Sequence, residues 1–461
     1  MDADHPAEVA GEPAALRLAR HAAGIRAEAL PGAAAAAAKR LLLDTLGVGV
    51  AGSSAPGISD VVSAAARWGE GREAALWGRR ARAPAATAAL VNGFAAHCQE
   101  YDCVHEGAVL HPMATLLPAA LAWAERVGGI SGRDFITALI AGVDVAIGLG
   151  LASRSPLRFF RPATGGGFGA AAAVGRLAGF APERLADAFG LLYAQTSGTM
   201  QPHLEGSIAL PLQIGFNARA ALAACDLAAA GLSGPRGVIE GPFGYLPMFE
   251  GDWDLDPVWR DLGRIWRVTE LSHKPYPSGR ATHGGIEGVA ALRADHRFEP
   301  GDVARIIVRG PPLVVRLCGR PALPDPSPSY ARLCMGFAIA KLLLRGGPDA
   351  THYRGAELRD AETYDLARRV ATESDGNPDP NALAPQQVEV ALNDGRRLAW
   401  RCEQVLGHPS RPLTPAQHLT KFRRCWSLAA EPLGPVEAVI EMVEHLDELE
   451  DMKRLAALLA P

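Results

Sequence analysis

From Leu16 to Gly231 the apolar positions fall in Ala- and Leu-rich runs at helical spacing, parted by short polar turns. Leu16 to Gly52 predicts two helices separated by Pro31-Gly32, and Ile58 to Trp68 predicts a third. Glu73 to Ala83, which contains Leu76-Trp77-Gly78, predicts a short extended piece. Ala86 to Ala96 has Leu90 and Phe94 four apart, on one helix face. A polar stretch follows, and Met113 to Glu125 is again helix-like. Pro112 marks its start, because proline in a first turn gives up no hydrogen bond; Pro118 predicts a kink or a restart. Ser131 to Asp134 resembles a capping box ahead of a helix from Phe135. Further helices are predicted through Ala170 to Leu177, from Ala181-Pro182-Glu183 to about Gln195, and from Leu210 to Gly231.

The texture changes near residue 266. Val303 to Val308 and Leu313 to Leu317 are β-branched runs of strand type. Gln387 to Leu392 and Arg397 to Trp400 flank Asn393-Asp394-Gly395, a strong hairpin signal. Tyr330 to Leu344 between them predicts a helix. Thr414-Pro415 opens another, with Thr as cap and Pro at the first position. The tail from Val436 to Leu459 is amphipathic and is expected to rejoin the first helical part. The expected fold is mainly α with a smaller α+β domain. Residues 1–265 and 404–461 would form one large discontinuous helical domain, and residues 266–403 an α+β lid. Residues 1 to about 12 read as a loose tail, and no internal repeat is visible.

The chain of 461 residues is 48% hydrophobic and 21% charged, so it is globular rather than disordered. A net charge of -4 gives no sign of a nucleic-acid partner. No positively charged, apolar signal segment opens it. The most apolar long run, Phe135 to Ser153, is broken by Asp144 and several glycines, so a buried helix is expected and no membrane span. Seven cysteines without a small-domain framework fit a reducing cytoplasm.

Candidate chemistry concentrates between His97 and His111. His97, Glu100, Asp102, His105, Glu106 and His111 all carry a proton or a charge and stand in apolar surroundings. A helix start after such a cluster attracts anions. Acids and imidazoles beside an anion site are what proton abstraction next to a carboxylate needs. Asp102 is the first candidate base and His111 the second; Glu106 reads as part of a solvated loop. Zinc on His97, Cys98, Cys103, His105 and His111 matches no common ligand spacing, so no metal is expected. Gly165 to Gly169 lacks the strand and the Lys-Ser or Lys-Thr of a phosphate loop and reads as close helix packing. Arg161 beside it can hold a carboxylate through two hydrogen bonds. His203 stands in a polar stretch with Ser197, Gln201 and Glu205. Lys274-Pro275-Tyr276-Pro277-Ser278-Gly279-Arg280 follows an expected strand, and its prolines would hold Lys274, Ser278 and Arg280 toward a ligand, with His283 in the next helix's first turn. Lys421 and His408 read as surface groups.

These places resemble the MmgE/PrpD family, which includes dehydratases, decarboxylases and epimerases of small carboxylic acids. The matching pieces are Val91-Asn92-Gly93 through His97, Glu100-Tyr101-Asp102, His111-Pro112, Phe168-Gly169-Ala170-Ala171, Pro211 to Gly215, Lys274 to Ser278, and Pro412-Leu413-Thr414 to Lys421-Phe422. The resemblance implies a large helical domain with a smaller lid, a homodimer, no metal or organic cofactor, and a site at the domain junction. It places the acid pair at Glu100 and Asp102, the histidine of the His-Pro pair at His111 and the lid lysine at Lys274, with His283 near a lid histidine. This chain departs from the pattern at Arg161-Pro162-Ala163, Leu210 and Val104. A tricarboxylate would keep a poorly paired carboxylate beside Leu210. Methylcitrate and cis-aconitate are thereby disfavoured against a smaller or less charged acid.

The expected function is a cofactor-independent lyase that dehydrates a small hydroxy acid. Asp102 or His111 would take the proton, Lys274 with Arg161 and Arg280 would hold the acid and its enolate, and His283 or His111 would protonate the departing hydroxyl. Glu100, His203, Tyr276 and Ser278 complete the expected substrate contacts. An isomerase, epimerase or decarboxylase working through the same enolate is the first alternative, and a non-catalytic small-acid binding protein the second.

Overall fold

The computed structural model describes residues 11–460; the expected N-terminal tail lies almost wholly outside them. Ten helices make up the first part: α1 Ala14–Gly24, α2 Gly32–Gly52, α3 Ile58–Ala65, α4 Ala85–His97, α5 Pro112–Val127, α6 Gly132–Ala152, α7 Arg161–Leu177, α8 Pro182–Tyr193, the short α9 Gln201–Glu205, and α10 Ala209–Ala229. A two-residue hairpin, β1 Ala74–Ala75 with β2 Arg82–Ala83, is the expected extended piece. The Ser131 hydroxyl accepts from the Asp134 N–H and starts α6 three residues before Phe135. That helix is long and apolar enough to cross a membrane, but 94% of its most apolar window is buried inside the protein. Helix α5 runs through Pro118 without the expected break. The proline removes one bond to the Ala114 carbonyl, and the fully buried neighbours on all sides hold the helix in place.

Small residues set how closely these helices approach. A Cβ on Gly52 of α2 would lie 2.0 Å from the Ala95 carbonyl of α4. One on Gly215 of α10 would lie 2.3 Å from the Leu90 carbonyl of the same helix. Gly142 and Gly169 face one another in the same way across α6 and α7. The Gly165 to Gly169 run is thus part of a packed helix, as its lack of phosphate-loop features predicted.

The second part begins after α11 Asp256–Asp261. It holds α12 His283–His296, β3 Val303–Gly310, α13 Pro312–Cys318, α14 Pro328–Arg332, α15 Met335–Arg345, α16 Ala361–Ala367, β4 Val370–Ser374, β5 Gln386–Leu392 and β6 Arg397–Cys402. The sheet order is β4-β3-β5-β6, with β3 and β4 parallel and the other pairs antiparallel. The Asn393-Asp394-Gly395 hairpin forms as expected, with Gly395 at φ 90. Leu313 to Leu317 is helix, not strand. Pro311 and Pro312 offer no ladder donors there and instead begin α13. The helix expected over Tyr330 to Leu344 is split at Leu333-Cys334. Strand β4 has mixed, half-exposed positions and carried no strand signal.

Finally α17 Pro415–Trp426, α18 Val436–Glu444 and α19 Lys453–Ala457 return to the first part. Thr414 and Gln417 cap α17 reciprocally. Phe422, Trp426, Val439, Val443 and Leu455 join the core built by α1 to α10, while the sheet and α12, α13 and α15 share a second core. The protein is mainly helical with a smaller α+β region, and the two cores meet at the loops around residues 100–111 and 271–281.

Substituting Gly215→Ala should force α10 away from α4. We expect a loss of about 1–3 kcal/mol, read as a lower denaturation midpoint with an unchanged slope.

Candidate active site

Helix α4 ends at His97, and the chain turns through residues 98–111 before Pro112 opens α5. Two residues of this turn, Glu100 at φ 50 and Val109 at φ 49, hold left-handed backbone that non-glycine residues seldom adopt. What fixes Glu100 comes from the other core. The Lys274 ammonium, fully buried, donates to the Glu100 carbonyl at 3.0 Å and to its carboxylate at 3.2 Å, and lies 3.9 Å from Asp102 Oδ1. More contacts join the same two loops. Val104 and Ser272 exchange backbone bonds, Tyr101 donates from its hydroxyl to the Pro275 carbonyl, and Glu106 accepts from Ser272 and Arg280. Lys421 braces the turn from below, donating to the Tyr101 carbonyl at 2.9 Å and pairing with Asp44 at 2.7 Å. The surface position expected for Lys421 is therefore wrong: it is buried, because its charge is matched by Asp44 and its ammonium lies 4.1 Å over the centre of the Tyr101 ring.

Asp102 sits at the centre, completely buried. One of its oxygens lies 3.0 Å from His97 Nδ1 and 3.1 Å from His111 Nδ1. His97 Nε2 is 3.4 Å from Glu100, and the two imidazoles meet edge to face at 5.2 Å. Burial alone would raise the Asp102 carboxyl, but His97 and His111 beside it hold it well below the usual range. Burial would likewise raise Glu100, and Lys274 with the two histidines brings it down to about 2. The histidines are pushed apart. Burial would lower His97, and Asp102 and Glu100 outweigh it, so His97 titrates above its ordinary value. For His111 burial wins over Asp102, and its value is lowered. At neutral pH the corner thus holds two carboxylates, one imidazole biased toward the cation and one biased toward neutral.

A small pocket, about 50 Å³ in volume, opens beside this corner, between the two cores. His97, Glu100 and His111 face it from the helical side, and Gly279, Arg280 and Ala281 from the other. Those three residues lead through a tight turn, Arg280–Thr282, straight into α12. The first N–H groups of a helix have no partner within it and suit an anion.

The other expected site residues divide. His203 lines the pocket, and Arg320 donates to its Nδ1 at 3.3 Å and to its carbonyl at 2.9 Å. Burial and then Arg320 lower it to about 4, so it is neutral, with the ring proton on Nε2. Arg161 does not reach the pocket. It is fully buried, with its guanidinium on Glu250 at 2.9 Å, Ser153 at 2.6 Å and Asn381 at 3.1 Å, because an unpaired charge there would be far too costly. The Arg280 side chain is also spent, on Glu106 and the carbonyls of Val405 and Leu406. His283 is enclosed, with Nε2 at 3.2 Å from the Ser278 carbonyl and Tyr276 5.6 Å from its ring, and burial pushes it well below its usual value. The Ser278 hydroxyl bonds Thr282. No strand precedes this loop beyond the single Val104–Ser272 bridge. Glu106, read as solvated, is half-buried and paired. Cys103 and His105 stand apart from the imidazoles, with His105 on Glu270.

Among the described residues two groups of donor atoms could hold a metal: His97 with Asp102 and His111, and Asp44 with His273 and His418. A lysine ammonium pairs with or borders each carboxylate, Lys274 near Asp102 and Lys421 on Asp44, and opposes a second cation. Sequence reasoning missed Arg320 and the apolar wall residues such as Leu157, Met200 and Leu383. Their residue types mark core or surface equally well, and nothing in their spacing distinguishes them.

Models of known families match both parts of the chain: the MmgE/PrpD N-terminal domain over residues 16–258, and the MmgE/PrpD C-terminal domain over residues 276–448. Cis-aconitate decarboxylase of Mus musculus is 27% identical over 440 residues, covering 91% of this chain and 88% of that protein. The protein of the same name from Aspergillus terreus is 26% identical over 447 residues, 92% of this chain and 91% of its own length. A cis-aconitate decarboxylase-like protein of Aspergillus oryzae is 29% identical over 452 residues, 92% of each chain.

If Arg161 is an internal counter-ion and not a substrate contact, Arg161→Met should strand Glu250. The expected loss is about 3–5 kcal/mol of stability, with the KM of the folded fraction unchanged. A raised KM at full stability would restore Arg161 to the site.

Proposed function

The chain belongs to the MmgE/PrpD family, and from that premise we propose that it is a lyase acting on a small carboxylic acid through a carbanion next to a carboxylate, with decarboxylation as the reaction. The observation that carries the reading is the opposite bias of two imidazoles on one buried carboxylate. Asp102 makes no contact with the pocket, so it serves as the orienting group and His111 as the proton carrier. With its Nδ1–H toward Asp102, His111 presents Nε2 to the pocket. The substrate carboxylate lies at the N–H groups of Arg280 and Ala281. His97 and Lys274 supply positive charge where the enolate forms.

In this reaction the bond to the departing carboxylate breaks, and its electron pair moves into the neighbouring unsaturated acid. Carbon dioxide leaves, and His111 places on carbon a proton it has taken from water. One proton is consumed for each carbon dioxide released. The decarboxylase relatives support this course. Dehydration is the second reading, and the resting neutrality of His111 favours it, since a neutral Nε2 is a base. There His111 removes a proton from carbon and the hydroxyl departs with a proton as water.

The test is to incubate purified protein with a panel of small unsaturated and hydroxy acids and follow products by mass spectrometry. We expect turnover in the wild type and a loss of about 10²–10⁴-fold in both His111→Asn and Asp102→Asn. Variants that stay folded and fully active would refute the roles given to them. The pH profile separates the reactions. The His111 value is lowered, so the controlling limb lies below 6.5. Decarboxylation, which needs the protonated ring, speeds up as the pH falls through that limb; dehydration, which needs the free base, slows down.

A further inference from the structure

Two of the positive side chains beside the pocket are matched: Lys274 is held by Glu100, and Arg280 by Glu106 and two carbonyls. Arg320 has no carboxylate partner among the described residues; it donates to the His203 carbonyl and ring, and it does not line the pocket. Leu210, on α10, brings no charge either, and Arg161 is committed to Glu250. Polar recognition is therefore confined to two places. One is the His97–His111 corner with the start of α12 opposite. The other is His203, whose Nδ1 faces Arg320 and whose Nε2 carries the ring proton, a neutral donor. Between them the wall is apolar: Val109, Leu157, Met200, Leu317, Leu333 and Leu383.

We propose that the substrate of this pocket is a dicarboxylic acid carrying an alkyl arm: one carboxylate at the α12 start beside His111, the other on His203, and the arm against the Leu157–Met200–Leu383 wall. This rests on the lyase reading above and adds the substrate class to it. A third carboxylate in place of the arm would be desolvated against leucine and methionine, with no cation on that stretch of wall to meet it. An alkyl arm gains from the same surface. Each methylene buried there should raise affinity about fourfold.

Binding to the full-length protein can be read by calorimetry with unreactive succinates, which contain no bond for a lyase to break. The probes are 2-methylsuccinate, 2-butylsuccinate and tricarballylate. We expect 2-butylsuccinate to bind at least tenfold tighter than either of the others. Met200→Lys, at a half-buried position outside the catalytic corner, should weaken 2-butylsuccinate and strengthen tricarballylate by at least fivefold each, with an unchanged melting profile. Three results overturn the proposal: tricarballylate binding as tightly as the butyl acid, no dependence on chain length, or no binding of any probe at millimolar concentration. Because no turnover is involved, these outcomes are separate from those of the His111 and Asp102 variants. Loss of the alkyl preference leaves the lyase reading standing, and inert catalytic variants leave the binding preference standing.

Discussion

The contact between Lys274 and Glu100 is the constraint from which the site follows. The lysine comes from the loop ahead of α12 and the glutamate from the turn between α4 and α5, so one ammonium ties two separately built cores together. It bonds both the carbonyl and the carboxylate of a residue in left-handed backbone. That conformation costs of order 1–3 kcal/mol, and a buried charge-assisted pair is strong enough to hold it. The twist at Glu100 in turn aims Asp102 inward between His97 and His111. A charge placed for structural reasons also sets the electrostatics: the same ammonium lowers the Glu100 carboxyl and opposes protonation of His97 and His111.

The pocket wall works by a different principle. Lys274 and Arg280 are matched by Glu100 and Glu106, and the wall between the two polar ends is apolar. The buried pairs Arg161–Glu250 and Arg280–Glu106 strengthen the frame and withdraw two positive charges from ligand binding. Positions where the family resemblance led one to expect polar or cationic groups, Val104, Ala163 and Leu210, are apolar and buried here. The chain is similar in sequence to decarboxylase relatives along nearly its whole length, and the wall of its pocket between the two polar ends is apolar.

Much of this was legible in the sequence, for reasons that can be named. Helix periodicity, Pro112 and Thr414-Pro415 marked element starts because their chemistry is local. The Asn393-Asp394-Gly395 turn fixed its hairpin for the same reason. The clustering of Glu100, Asp102 and His111 was visible because charged groups in apolar sequence need partners. What stayed hidden depends on contacts across the chain. Leu313 to Leu317 has strand-like composition but is governed by the prolines before it. Lys421 looks like any surface lysine until Asp44, far away in sequence, is seen beside it. Arg161 and Arg280 were read as ligand cations because sequence shows a charge and not its counter-ion. Asp102 was ranked above His111 as base; its complete enclosure, against the opening at His111, is what leads the proposed reading to reverse that order.

The central claim is that two imidazoles on one buried carboxylate are pushed apart, His97 above its ordinary value by Asp102 and Glu100 and His111 below it by burial. Nuclear magnetic resonance of protein labelled at the histidine ring carbons and nitrogens, titrated across neutrality, reads this directly. The account predicts that His97 titrates above 6.5 and His111 below it, with the neutral His111 protonated on Nδ1. Finding His111 charged where His97 is neutral, or its neutral form protonated on Nε2, would contradict it.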